Sequence, residues 1–187
     1  MLRPLVLLAV AAAASPSAAE VFVDLGVNAS RIESDIANRP DTVSTSESGV
    51  HLGVGARRST ENGRADFGVR LEIDDLGEDT LLAVRALDYR RHRTERFAWT
   101  AFLGAARLDL ATPAYGYYFG GGVQLTGFLP RWDLGIEARF GDKVARDNLL
   151  PTDPQGGRPD NFHDIRGIAV YLSYRFGRAS NSTDASQ

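Results

Sequence analysis

An all-β chain is predicted, with eight antiparallel strands closing into an up-and-down transmembrane β-barrel. Three observations predict it. From Val21 to Phe176 apolar and polar residues alternate in runs of about ten, the length at which a tilted strand crosses a bilayer. A period of two places successive side chains on opposite faces of an extended chain. Turn-forming residues separate the runs, and an export-type leader precedes the first of them.

Residues 1–19 read as a signal peptide. Arg3 supplies the positive start, and Leu5–Ala14 is an apolar stretch too short to span a bilayer as a helix. Ser17 and Ala19 are the small residues expected before a cut ahead of Glu20. Residues 20–177 then form the barrel, and 178–187 a polar disordered tail. The chain has no cysteine, so it has neither disulfides nor thiolate chemistry. A pI near 5.6 lacks the basic footprint of a nucleic-acid binder. A mean hydropathy of −0.20 does not argue against a membrane, because a barrel hides half its strand residues from lipid.

The first strand sets Val21, Val23, Leu25, Val27 and Ala29 against Phe22, Asp24, Gly26, Asn28 and Ser30. A polar loop is expected over 35–48. The second opposes Val50, Leu52, Val54 and Ala56 to His51, Gly53, Gly55 and Arg57, and Ser59–Gly63 turns. The third sets Ala65, Phe67, Val69, Leu71 and Ile73 against Asp66, Gly68, Arg70, Glu72 and Asp74, with a connection over 75–80. The fourth places Leu82, Val84 and Ala86 outward and Arg85 inward, then puts Asp88 on the apolar face. A bulge near Ala86 resolves that conflict, since one extra residue turns Leu87 and Tyr89 outward.

After a turn at 92–94, the fifth strand directs Phe97, Trp99, Ala101, Leu103 and Ala105 outward. Pro113 marks a turn over 111–114. The sixth alternates Tyr115, Tyr117, Phe119, Val123 and Leu125 with Tyr118, Gly120, Gly122 and Gln124, and 127–131 turns. The seventh sets Trp132, Leu134, Ile136, Ala138 and Phe140 against Asp133, Gly135, Glu137 and Arg139. A long polar loop follows over 141–164. The eighth opposes Ile168, Val170, Leu172, Tyr174 and Phe176 to Gly167, Ala169, Tyr171, Ser173 and Arg175. If the first strand rises from the periplasm, the two long loops lie outside the cell and the even connections are short turns.

Alternation alone fits a soluble barrel with an apolar ligand cavity equally well. Three features place the apolar face against lipid. Glycines cluster on the polar face, where strands crowd a narrow axis. The polar face balances its charges, giving an expected lumen network of Asp24, His51, Arg57, Asp66, Arg70, Glu72, Arg85, Asp133, Glu137, Arg139 and Arg175. Outward aromatics gather near strand ends, giving an expected interfacial girdle of Phe97, Trp99, Tyr115, Tyr117, Trp132, Phe140, Tyr174 and Phe176.

On these features the chain resembles the small eight-stranded outer-membrane barrel family that includes the OmpA transmembrane domain and OmpX-like proteins. The resemblance covers nearly all of 20–176 and rests on architecture. Tyr174, Arg175 and Phe176 look like that family's aromatic-ended assembly signal, although further residues follow. It implies residence in the outer membrane of a Gram-negative cell. The implied partners are outer-membrane lipids, lipopolysaccharide and the outer-membrane assembly machinery.

Eight strands leave an interior just wide enough for side chains, so the inward charges read as structural and a wide porin-like channel is excluded. A narrow passive pore for small solutes or ions is the alternative. A lipid A-modifying enzyme would need a histidine beside a hydroxyl and a carboxylate. Of His51, His92 and His163, the first reads as lumenal, the second as solvated in a turn, and only His163 lies near the outer leaflet. No strand carries a His-x-Ser pair, so no catalytic residue is assigned. Asp142, Asp147, Asp153, Asp160 and Asp164 are oxygen donors but match no calcium-loop spacing, and Lys143, Arg146 and Arg158 offset them. They read as a solvated loop, with no metal or cofactor expected. The reading is an outer-membrane barrel with a structural or surface-interaction role through loops 35–48 and 141–164, the loop partner unnamed.

Overall fold

Strands form where the alternation runs, and each pairs antiparallel with its sequence neighbour. They are β1 (Ala19–Ile36), β2 (Val43–Ser59), β3 (Ala65–Leu76), β4 (Asp79–His92), β5 (Phe97–Leu108), β6 (Gly116–Leu129), β7 (Trp132–Asp147) and β8 (Asn161–Arg175). The structure, a computed structural model, describes residues 19–36, 43–77, 79–109, 115–147 and 161–176. The leader through residue 18, the turn at 111–114 and the tail fall outside them.

Closure comes from β1, which pairs with β2 through Leu25 opposite Leu52 and with β8 through Leu25 opposite Leu172. The result is one closed barrel in the order β1 to β8, with no edge strand. Its polarity is that of a membrane barrel: Leu25, Val27, Leu52, Ile73, Leu103 and Ile168 are exposed on the outside. Asp24, His51, Arg70, Glu72, Arg85 and Glu137 are buried within.

The irregularity in β4 lies at Ala86. Register shifts between Arg85 and Leu87 against β5, and between Gly68 and Arg70 against β3. Ala86 and Leu87 are consecutive exposed residues, and beyond them Asp88 and Arg90 turn into the interior. One inserted residue therefore keeps two charges out of lipid.

Several connections are shorter than expected. The ladder of β1 and β2 continues to Ser34 opposite Val43, and that of β7 and β8 to Asp147 opposite Asn161. Residues 43–48, 141–147 and 161–164 are thus strand rather than loop, as are 35 and 36. Above an apolar band a strand needs no alternation, because both faces meet water, so polarity alone mistakes it for loop. Likewise the connection expected over 75–80 contracts to the residues between Leu76 and Asp79, with Gly77 at φ 82°.

Large inward rings occupy space that glycines leave. A Cβ at Gly55 would collide with the Phe22 ring, and one at Gly135 with the Tyr171 ring. These glycines serve close approach across the barrel.

Deleting Ala86 is expected to return Asp88 and Arg90 to the lipid-facing parity and abolish folding into lipid vesicles. Ala86→Val, on the exposed side, should fold like the parent. The readout is the faster migration of unheated, folded barrel on an SDS gel.

Candidate functional site: a charged lumen and a raised outer wall

The lower and middle interior is a charge network built by the inward parity of six strands. At its centre Arg85 from β4 is fully buried, its Nη2 lying 2.6 Å from Glu72 Oε1 and 2.7 Å from Glu137 Oε2. Its guanidinium stacks 3.6 Å from the Phe102 ring centroid. Tyr171 donates its hydroxyl to Glu137 Oε1 at 2.6 Å. Arg70 bridges Asp24 at 2.9 Å and Asp88 at 2.8 Å. Arg139 reaches Asp74 at 3.0 Å, and His51 Nδ1 lies 2.6 Å from the same carboxylate.

Nearer the chain termini, Arg90 joins Asp66 at 2.6 Å and Asp133 at 3.0 Å. Arg57 pairs with Glu20 at 3.3 Å and covers the Phe22 ring at 3.8 Å. Arg175, the last residue of β8, is half-buried and lies 3.5 Å from Asp133 and 3.8 Å from Glu20. Of the eleven residues expected in the lumen, the ten acids and arginines each sit beside an opposite charge, and His51 sits beside Asp74.

Sequence reasoning omitted Asp74, Asp88, Arg90 and Glu20 from this set. Asp74 follows directly from the alternation of β3, and Asp88 and Arg90 from the parity swap at Ala86. Glu20 lay beyond the first run considered. His92 needs correction: it is not free in a turn, since its Nε2 sits 2.9 Å from Asp66 Oδ2.

Above the charges the interior changes character. Ile32, Leu76, Leu81, Phe102, Leu108, Tyr118, Val144 and Ile165 form one buried cluster at the end of the barrel away from the termini. Leu76, Leu81, Leu108 and Tyr118 are at most 2 % exposed. The expected lumen of charges is thus capped by an apolar plug. Part of it comes from an irregularity in β7 between Gly141 and Ala145, where Lys143 adopts φ 56° and both Val144 and Ala145 become buried. Paired charges thus occupy the lower and middle interior and buried apolar side chains the upper part.

His163 lies on the inward parity of β8 near the outer mouth. Ser34 Oγ is 2.8 Å from its Nδ1, a Ser–His contact made across β1 and β8. A search for such pairs along one strand misses it, because the residues are 129 positions apart. Asp164 accepts a hydrogen bond from the Lys143 N–H at 2.8 Å. Of the other aspartates of that region, 153 and 160 lie outside the described residues.

The barrel is lopsided at this end. Residues Val43–Val50 pair with β1 but have no partner in β3, whose hairpin to β4 closes at Leu76 and Asp79. At about 3.3 Å per residue, β2 runs roughly 20 Å of strand beyond that hairpin, with β1, β8 and β7 continuing the raised wall beside it. On the outer face of this raised wall, Glu33 pairs with Arg31 and with Arg166, each at 3.4 Å.

Outside the barrel, aromatic side chains cluster near the termini. Phe97 and Trp99 pack edge to face at 5.6 Å; Trp132, Tyr174 and Phe176 form a chain at 4.9 and 4.8 Å. At the other end Tyr115 and Tyr117 are each 71 % exposed, and Phe140 stacks on Phe119 at 5.7 Å.

Closed eight-strand topology, an apolar exterior and an internally paired polar lumen define a class: the small eight-stranded barrel with outer-membrane architecture. Solved structures of that class match over most of the chain. Ail, the attachment invasion locus protein of Yersinia pestis, is 12 % identical with a TM-score of 0.52, covering 85 % of this chain and 99 % of that one. Ail in complex with the heparin analogue sucrose octasulfate gives 13 % identity and the same TM-score and coverage. Neisserial surface protein A is 12 % identical with a TM-score of 0.46, covering 83 % and 97 %. No protein-family description and no curated protein sequence matches the chain.

Arg85→Met is expected to destabilise the barrel by about 3–5 kcal/mol, because Glu72 and Glu137 then share a buried site without their cation. Adding Glu72→Gln and Glu137→Gln should recover part of that loss. Urea unfolding in lipid vesicles, followed by tryptophan fluorescence, measures both. An Arg85→Met loss below about 0.5 kcal/mol, the scale of a neutral surface change, would show the network to be dispensable.

Proposed function

We propose that this chain is an integral outer-membrane barrel, exported by residues 1–19, that presents a surface-interaction platform to the cell exterior. The observation that carries the reading is its polarity. Exposed Val, Leu, Ile and Phe side chains cover the outside while carboxylates and guanidiniums pair within. In water this arrangement would expose an apolar belt all around the molecule; in lipid it costs nothing. The short turns, Ala19 and Phe176 then face the periplasm, and the raised wall of β1, β2, β7 and β8 stands outside. Outer-membrane lipids and lipopolysaccharide surround the barrel, and the assembly machinery inserts it. The aromatic end of β8 supports that last step.

The plug supports the platform over a passive pore, since an ion would have to cross both the layer of Leu76 and Leu108 and the Arg85 cluster. Among the described residues, the Ser34–His163 contact is the feature that favours a lipid-modifying enzyme. It faces the interior, however, and the acyl chains of a membrane lipid lie on the opposite face of the strands. The platform reading needs neither transport nor catalysis.

Fractionated cells are expected to hold the protein in outer membranes as a band that shifts on boiling. An epitope inserted between Gly156 and Gly157 should bind antibody on intact cells, whereas one inserted after Asn62 should bind only after lysis. Purified protein in planar bilayers should show no steady conductance. A soluble periplasmic band without a shift would overturn the reading, and a stable conductance would restore the pore.

A further inference from the structure

The outer surface near the termini carries arginines with a different fate from those inside. Arg58, Arg64, Arg91, Arg93, Arg96 and Arg131 are all exposed, against only Glu61 and Glu95 in the same turns. Among the described residues, no carboxylate pairs with Arg64, Arg91 or Arg93, in contrast to every arginine of the lumen. These three converge on two adjoining hollows. One, of about 360 Å³, is lined by Tyr89, Arg91, Arg93 and Trp99, and opens on the apolar exterior. The other, of about 640 Å³, is lined by Arg64, Arg91, His92, Arg93 and Glu95 at the turn between β4 and β5.

The register explains the juxtaposition. Arg91 sits opposite Trp99 on β5 and opposite Ala65 on β3, and Phe67 sits opposite Tyr89, their rings 5.0 Å apart. A guanidinium cluster therefore stands where an aromatic-walled groove leaves the apolar belt. Resting on the membrane reading above, we propose that this groove binds an anionic glycerophospholipid of the leaflet at the short-turn end. Arg64, Arg91 and Arg93 hold its phosphate, and Tyr89 and Trp99 flank the glycerol and first acyl carbons.

The chemistry follows from the two halves of such a lipid. Guanidinium matches phosphate geometry with parallel N–H donors. Tyrosine and tryptophan prefer the boundary between headgroup and hydrocarbon. A free phosphate would use the cations but gain nothing from Trp99, which is 53 % exposed on the belt side. Charge complementarity and the continuity of the groove with the belt together select a lipid.

The test uses the two tryptophans of the chain. Trp132→Phe leaves Trp99 as the reporter, and the full-length protein is folded into phosphatidylcholine vesicles containing a minor fraction of brominated phosphatidylglycerol. Quenching of Trp99 should exceed that by the same fraction of brominated phosphatidylcholine by about fivefold in local enrichment, the effect of one cation near an anionic surface. Replacing Arg64, Arg91 and Arg93 by Gln should remove the enrichment while the boiling shift persists. Equal quenching by both lipids in the parent overturns the site. Loss of the enrichment on adding inorganic phosphate identifies a free-phosphate site and overturns the lipid assignment. Absence of quenching by either lipid overturns the membrane reading itself, and the proposal with it.

Discussion

Everything in this molecule follows from closing a sheet in lipid at only eight strands. Hydrocarbon offers no partner to a backbone N–H or C=O, so the ladder must return on itself, and β1 does so by pairing with β8. Closure at eight strands then leaves an interior of side-chain width. Alternation obliges every second residue to occupy it. Because the outer positions must be apolar, the inner ones carry the chain's polarity, and charges confined there need partners.

The interior solves that problem in layers. Arg85, Arg70, Arg139 and Arg90 each lie within 4.0 Å of three carboxylates, so each of these cations is shared among several anions. Aromatic rings fill what the charges leave: Phe22 under Arg57, and Phe102 under Arg85. Higher up, Leu76, Leu81 and Leu108 replace charge with apolar packing. The interior thus passes from paired charge to apolar packing along the axis, and the two ends differ: a raised wall on one side and an arginine-edged rim on the other.

Much of this was legible in the alternation. Strand number, barrel closure, the faces of Asp24, Glu72 and Arg139, and even the bulge at Ala86 follow from a period of two and one conflict at Asp88. Two kinds of feature were not legible. The tops of β1, β2, β7 and β8 rise out of the belt, where the two faces stop differing and the pattern vanishes. The apolar plug draws one to three residues from each of seven strands, Ile32 from β1 and Leu108 from β5 among them, and no local window brings those together. The contact of Ser34 with His163 escaped for the same reason.

The central claim is that the apolar face of each strand meets lipid and the polar face meets other side chains. The absence of native cysteine allows it to be measured directly by single-cysteine spin labelling along β3 in lipid vesicles. Labels at Phe67, Val69, Leu71 and Ile73 should relax with oxygen, which concentrates in hydrocarbon, and not with a water-soluble nickel chelate. Labels at Asp66 and Asp74 should respond weakly to both. Strong relaxation by nickel at Val69 and Leu71 would contradict the account, because it would place the apolar face in water.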